Sequence, residues 1–251
     1  MTNTATNGFV HLHVHSEFSL LDGLGKIEAL VSRASEMEMP ALGLTDHGVM
    51  FGAMDFYLEA RRQGINPIIG CEFYVAPRSR MDKEGKKDSS ATHLTVLAAN
   101  ATGYRNLISM ASKAQLEGFY YRPRIDRELL AESSEGLICL SGCPSGEIAR
   151  LIRDHNLEQA IELAAWYRDV FGPDNFFIEV QNHGLDLEVQ LGVGLLEIAD
   201  RIGSPLVGTN DVHYVNVEDQ PAHDVLPAVS YTHLRAHETL RYLVCRLLLE
   251  K

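Results

Sequence analysis

The sequence is short of positive charge and has no apolar stretch long enough to cross a bilayer. It holds 22 lysines and arginines against 34 aspartates and glutamates, a formal net charge of −12 at pH 7. That balance argues against gripping nucleic acid by phosphate neutralisation alone. It still admits a nucleic-acid active site in which bound cations invert the local charge. No apolar run approaches the roughly 18–20 residues of a membrane span, so no membrane partner is expected. The polar start MTNTATNG does not read as a secretory signal. The four cysteines, Cys71, Cys139, Cys143 and Cys245, have neither C-x-x-C spacing nor the pattern of a disulfide framework. Reduced thiols in a cytoplasmic protein are therefore expected.

What is present is an alternation of strands and helices. Apolar runs predict strands at Phe9–His13, Ala41–Thr45, Pro67–Val75, Leu94–Ala98, Gly136–Leu140, Phe176–Gln181 and Pro205–Thr209. Amphipathic helices are predicted over Lys26–Met37, Phe51–Gln63, Tyr104–Ala114, Glu158–Phe171 and Leu187–Arg201. In the first of these, Ile27, Leu30, Val31 and Ala34 have the spacing of one buried face. Repeated βα units imply a parallel sheet, and seven of them in 251 residues suggest a closed or nearly closed barrel of the TIM type.

Residues suited to metal binding cluster where such a barrel does its chemistry. His13-Val14-His15 follows the first predicted strand, Asp46-His47 the second and Asp211-Val212-His213 the last. Glu72 lies late in the third strand, Cys143 follows the fifth, and Asp22 stands between clusters. Imidazole, carboxylate and a single thiolate suit zinc or manganese better than magnesium. One H-x-H pair is weak evidence, but a D-x-H pair in a second strand-exit setting strengthens it, and so many donors point to several ions. His93 is the misfit, because it precedes its predicted strand. Asp46 is expected behind the ligands, orienting one of them. Arg78, Arg80, Lys83, Lys86 and Lys87 read as a solvated loop. Tyr120-Tyr121-Arg122-Pro123-Arg124 mixes aromatics with arginines, so Arg122 and Arg124 are candidate substrate contacts. His183, after the sixth strand, is another.

The strings FVHLHVHSEFSLLDG, LGLTDHGVMFGAMDFY, GINPIIGCEFYVAP, GFYYRPRID, CLSGCPSGEI and GTNDVHYVNVEDQPAHDVL closely resemble the N-terminal PHP (polymerase and histidinol phosphatase) domain of bacterial replicative DNA polymerase III alpha subunits. The resemblance runs from Phe9 to Leu226. It implies an α/β fold, a distorted seven-stranded (β/α) barrel with a multinuclear metal centre at one rim. The family's ligand positions fall on His13, His15, Asp22, His47, Glu72, His93, Cys143, Asp211 and His213. In some polymerase relatives several of these are replaced and the domain is only a platform; here all nine are present. The resemblance therefore implies a metal-dependent 3′–5′ exonuclease that proofreads a primer strand with two to three divalent ions. Asp22, Asp211 and His213 are its candidate catalytic residues, and either aspartate is suited to bridge two ions. DNA and other replicase subunits are the implied partners, with no polymerase core in these 251 residues.

Two other readings remain open: a stand-alone phosphatase for a small phosphate ester such as histidinol phosphate, and a non-catalytic partner-binding module. Residues 227–251 do not continue the family's pattern. They hold four basic against two acidic side chains, leaving −14 on the preceding 226. This tail resembles translated adapter sequence and is expected to lie outside the fold, with His233 and His237 only mimicking a metal motif.

Overall fold

The computed structural model describes residues 8–230, which fall into two compact units. Of the described residues, the first comprises residues 8–46, Phe51–Ile69 and residues 210–230; the second comprises His47–Met50 and Gly70–Thr209.

In the first unit, helix α1 (Ile27–Glu36) buries the predicted Ile27, Leu30, Val31 and Ala34. Strand β1 (Ala41–Leu44) follows, then helix α2 (Ala53–Gln63), which buries Ala53, Phe56 and Ala60. Strand β2 (Asn66–Val75) begins here and pairs in parallel with β1, from Ala41 opposite Asn66 to Leu44 opposite Ile69. Val14, Leu42, Leu44, Phe56 and Val212 join the helical residues in one apolar core.

The predicted strand at Phe9–His13 does not form as a regular strand. Its backbone is still held in place. Gly43 donates to the His11 carbonyl (2.7 Å), and Thr45 donates to that of Val14 (2.8 Å). The donors are two residues apart and the acceptors three, so one extra residue is inserted on the histidine side. Such a bulge interrupts a ladder and re-aims side chains. On the other side only an isolated parallel bridge, Val14 to Val212, remains.

The second unit contains the rest of β2, then helix α3 (Lys86–Ser89), strand β3 (Thr92–Ala98) and helix α4 (Ala101–Leu116). Strand β4 (Arg124–Ile125), helix α5 (Arg127–Glu132) and strand β5 (Leu137–Leu140) come next. Helices α6 (Glu147–Arg153) and α7 (Leu157–Phe171), strand β6 (Phe176–Val180), helix α8 (Asp186–Ile202) and strand β7 (Leu206–Gly208) complete it. Asn100 caps α4 by accepting from the amides of Thr102 (2.9 Å) and Gly103 (3.1 Å), two donors that helix geometry leaves without intrahelical partners. The apolar core is built from Phe73, Val96, Leu107, Met110, Leu130, Tyr167 and Phe176 with their neighbours.

The sheet order is β1-β2-β3-β5-β6-β7, with β4 added to β2. This mixed seven-stranded α/β arrangement fits a distorted (β/α) barrel, with one correction to the all-parallel expectation. β3 runs antiparallel to both β2 and β5. A reversed strand starts at the rim where its parallel neighbours end, which resolves the apparent misplacement of His93. The last described helix, α9 (Gln220–Ser230), continues past Leu226; the remainder of the tail, with His233, His237 and Cys245, lies outside the described residues.

Burial in the first unit has a titratable consequence. His11 is 6% exposed, packs edge-on against Phe9 and sits 3.5 Å from the Asn210 amide nitrogen. Burial lowers its pKa from 6.5 to about 4, so the unfolded chain binds the proton more tightly. Its contribution is complete above pH 6.5 and is lost as pH falls towards 4. Metal-free protein should lose up to about 3 kcal/mol through this group. Urea unfolding at pH 7 and pH 4.5 checks this, and His11→Gln should flatten the difference.

Candidate metal centre

In the first unit the bulged segment 11–15 and the chain after β7 deliver their side chains together. His15 donates its amide to the Val212 carbonyl (2.7 Å), and Val212 donates to that of His13 (3.1 Å). The two H-x-H and D-x-H segments are thereby locked side by side. One oxygen of Asp211, Oδ1, lies 3.3 Å from His13 Nε2 and 3.1 Å from His15 Nε2. Donor atoms around a tetrahedral zinc are separated by roughly 3.3 Å, given bonds of about 2.0–2.1 Å. The His15 and His213 rings stack with centroids 4.3 Å apart. His213 Nδ1 donates to the Asp211 carbonyl (2.8 Å), which assigns its lone pair to Nε2, 4.0 Å from Asp22 Oδ1.

Backbone geometry sets two of these carboxylates. Asp211 has φ 46°, a left-handed conformation that aspartate tolerates better than most residues. Asp22 rides a turn tied to His213, whose carbonyl accepts from Leu24 (2.8 Å) and Gly25 (3.2 Å). Gly23 lets this turn close, since a Cβ there would stand 1.9 Å from the Ser16 carbonyl oxygen. His223, buried on α9, places Nε2 2.9 Å from the Asp22 carbonyl and its ring 5.8 Å from that of His213. Burial holds its pKa below the usual histidine value despite that hydrogen bond. Nothing in the spacing of the sequence singled out His223.

In the second unit Glu72 is the hub. Its Oε2 lies 2.7 Å from His47 Nδ1; its Oε1 lies 3.1 Å from His93 Nδ1 and 3.5 Å from Cys143 Sγ. Cys143 Sγ is 3.9 Å from His93 Nδ1, and His47, Glu72 and His93 form a group able to hold one ion. The antiparallel register sets Tyr74 opposite His93 and Thr95 opposite Glu72, so these four share a face. The turn at 142–146 bridges to the start of β3 through His93 and Gly146, bringing Cys143 alongside.

Tyr74 was not singled out by the sequence. Its ring is 5.8 Å from His47 and 5.1 Å from His93, and the Arg122 guanidinium lies over it at 5.5 Å. Gly48 (φ 64°) makes room, because a Cβ there would approach Tyr74 Cδ2 to 3.2 Å and Pro123 Cγ to 2.8 Å. Half-buried Arg122 is thereby fixed beside two candidate ligands.

Arg124 is a correction. It is fully buried and donates to the carbonyls of Gly118 (3.0 Å), Asp88 (2.7 Å), Arg80 (3.0 Å) and Asp82 (2.8 Å). A guanidinium used this way clamps the loop after β2 and offers nothing to a substrate. That loop is not simply solvated either: Arg80 pairs with Asp126 (2.9 Å) and Arg78 with buried Asp88 (2.7 Å). His183 is buried too, with its ring and amide on Glu188. Burial opposes the charge of Glu188, but the hydrogen bonds from His183 hold its pKa below the usual value. Glu179, another buried carboxylate the sequence did not flag, accepts from Thr209 and Gln181.

Buried imidazoles and carboxylates gathered at strand ends are the donor types that hold divalent metal ions. The chain belongs to the PHP domain family, whose model matches residues 11–183. It is 53% identical over 223 residues to DNA polymerase III subunit alpha of Treponema pallidum, covering 88% of this chain and 19% of that protein. The Thermus aquaticus subunit is 49% identical over 225 residues, covering 88% and 18%. The chain thus spans about a fifth of the length of the curated relatives it matches. A solved structure from Bifidobacterium adolescentis, described as a candidate metal-dependent phosphoesterase, shares the fold with TM-score 0.51 at 15% identity, covering 82% of this chain and 88% of that one.

Arg124→Met should destabilise the fold by about 3 kcal/mol, because several buried carbonyls lose their donor at once. Urea denaturation measures this. Metal content per folded molecule should be unchanged.

Proposed function

We propose that this chain is the PHP phosphoesterase portion of a DNA polymerase III alpha-type subunit and acts as a 3′–5′ exonuclease on a primer end. The observation that carries the reading is the complete donor set: all nine family ligand positions hold a metal-binding side chain. His13, His15, Asp22, Asp211 and His213 supply nitrogen and oxygen in one cluster; His47, Glu72, His93 and Cys143 supply nitrogen, oxygen and sulfur in another. The donor separations and chemistry fit zinc or manganese, and nine donors suit two to three ions. Such ions supply charge neutralisation at the phosphoryl oxygens and acidify water.

The chain's own residues do the rest. Arg122, held over Tyr74, is suited to bind a non-bridging phosphate oxygen. Asp22 and Asp211 would hold ions through their carboxylates, and His213, its Nδ1 proton given to the Asp211 carbonyl, would offer the Nε2 lone pair beside them. His183 contributes by steadying the loop before α8 through Glu188. The identity to polymerase subunits supports DNA as the substrate, other replicase subunits as partners and the cytoplasm as the location. The net charge of −12 makes the isolated chain a weak binder of DNA.

After reconstitution with zinc or manganese, the chain should carry two to three ions by mass spectrometry, and His13→Ala or Asp211→Asn should carry fewer. Wild type should shorten a 5′-labelled primer from its 3′ end, mismatched ends fastest. Asp22→Asn should be slower by more than about a hundredfold, beyond the usual effect of outer-shell changes. Equal degradation by both proteins would sink the exonuclease reading. Turnover of histidinol phosphate without DNA cleavage would favour the small-ester phosphatase, and bound metal with neither activity would favour a platform.

A further inference from the structure

A buried polar chain runs behind one ligand of the first cluster. Asp46 is 1% exposed; its Oδ1 accepts from the Ser16 amide (2.7 Å) and the Ser19 hydroxyl (2.8 Å), and its Oδ2 from the Ser16 hydroxyl (2.8 Å). Ser19 Oγ also lies 2.9 Å from His15 Nδ1, and both side chains are buried.

Proton counting gives this chain a direction. A carboxylate only accepts, and a serine hydroxyl carries one proton. The contact between Ser19 and Asp46 therefore uses the serine's proton. The contact between Ser19 and His15 then needs a proton from the ring, so Nδ1 carries it. If Ser19 instead donated to His15, two lone-pair-bearing oxygens would face each other 2.8 Å apart with nothing between them.

We propose that Ser19, backed by Asp46, is a positioning residue that holds His15 in the Nδ1–H tautomer and keeps its Nε2 lone pair facing Asp211, available to an ion. The inference rests on the metal-site reading above, and it assigns Asp46 to His15 by way of Ser19. His213 reaches the same tautomer through a backbone carbonyl, so the two stacked rings present matching Nε2 atoms.

The test begins with metal-free wild-type protein. A long-range proton–nitrogen NMR spectrum should show a proton on His15 Nδ1, whether or not Nε2 also carries one beside Asp211 in the absence of an ion. Asp46→Asn should move the proton towards Nε2, because a carboxamide can donate to Ser19 and free the serine's proton for Nδ1. In competition with a chromogenic chelator, Ser19→Ala and Asp46→Asn should each bind zinc 10- to 100-fold more weakly. Ser19→Thr, which keeps the hydroxyl, should restore both tautomer and affinity. A His15 without a proton on Nδ1 in wild type overturns the proposal, as does unchanged zinc affinity in both weakened variants. Nδ1–H His15 in a wild type that binds no zinc supports the tautomer lock and counts against the metal reading. Should Asp46→Asn fail to fold, the wild-type spectrum and Ser19→Ala still decide.

Discussion

Glu72 sits nearly inaccessible to water on β2, one carboxylate oxygen turned to His47 and the other to His93 and Cys143. An ionised carboxylate in that position is costly unless cations or strong donors surround it. Much of the second unit's local architecture answers that requirement. β3 is reversed so that its first residues arrive beside Glu72, and the turn at 142–146 bridges to His93. The Gly48 amide donates to the Glu72 carbonyl (2.8 Å) and holds the His47 segment against β2. Removing the carboxylate would leave two histidines and a thiol gathered around nothing.

The first unit meets a similar demand differently. There the hub is a single oxygen of Asp211, and of the rings that face it His15 is held by a hydrogen bond on its far nitrogen. This division of labour, with ligands in front and donors or acceptors behind, is how proteins set the direction of a histidine lone pair. It also explains the density of small polar residues around 16–23. Serines and glycine form a tight turn that brings Ser19 to His15 and Asp22 to His213.

The amino-acid sequence disclosed the helices well, because their buried stripes recur at fixed spacing; α1 buries the four residues its periodicity picks out. Strand direction was not legible. An apolar run has the same pattern whichever way it points, and a solvated loop between Val75 and Thr92 can precede either a parallel or a reversed strand. The bulge at 11–15 was hidden for a related reason, since one inserted residue changes hydrogen-bond partners without changing composition. Arg124 was misread because buried arginines are rare and its partners are backbone carbonyls, which have no letter in a sequence. Tyr74 and His223 went unnoticed because each acts on a ligand distant from it in the chain.

The left-handed backbone at Asp211 bears on how such a protein changes over generations. Few side chains accept that conformation, and asparagine and glycine are the main alternatives. The neighbour most easily reached in backbone terms is asparagine, which has the same shape and no charge. A lineage no longer selected for hydrolysis can therefore cross from enzyme to scaffold at this position without disturbing the turn that carries it. Loss of chemistry and loss of fold are separable here, and silent members of such a family would still look intact from the outside.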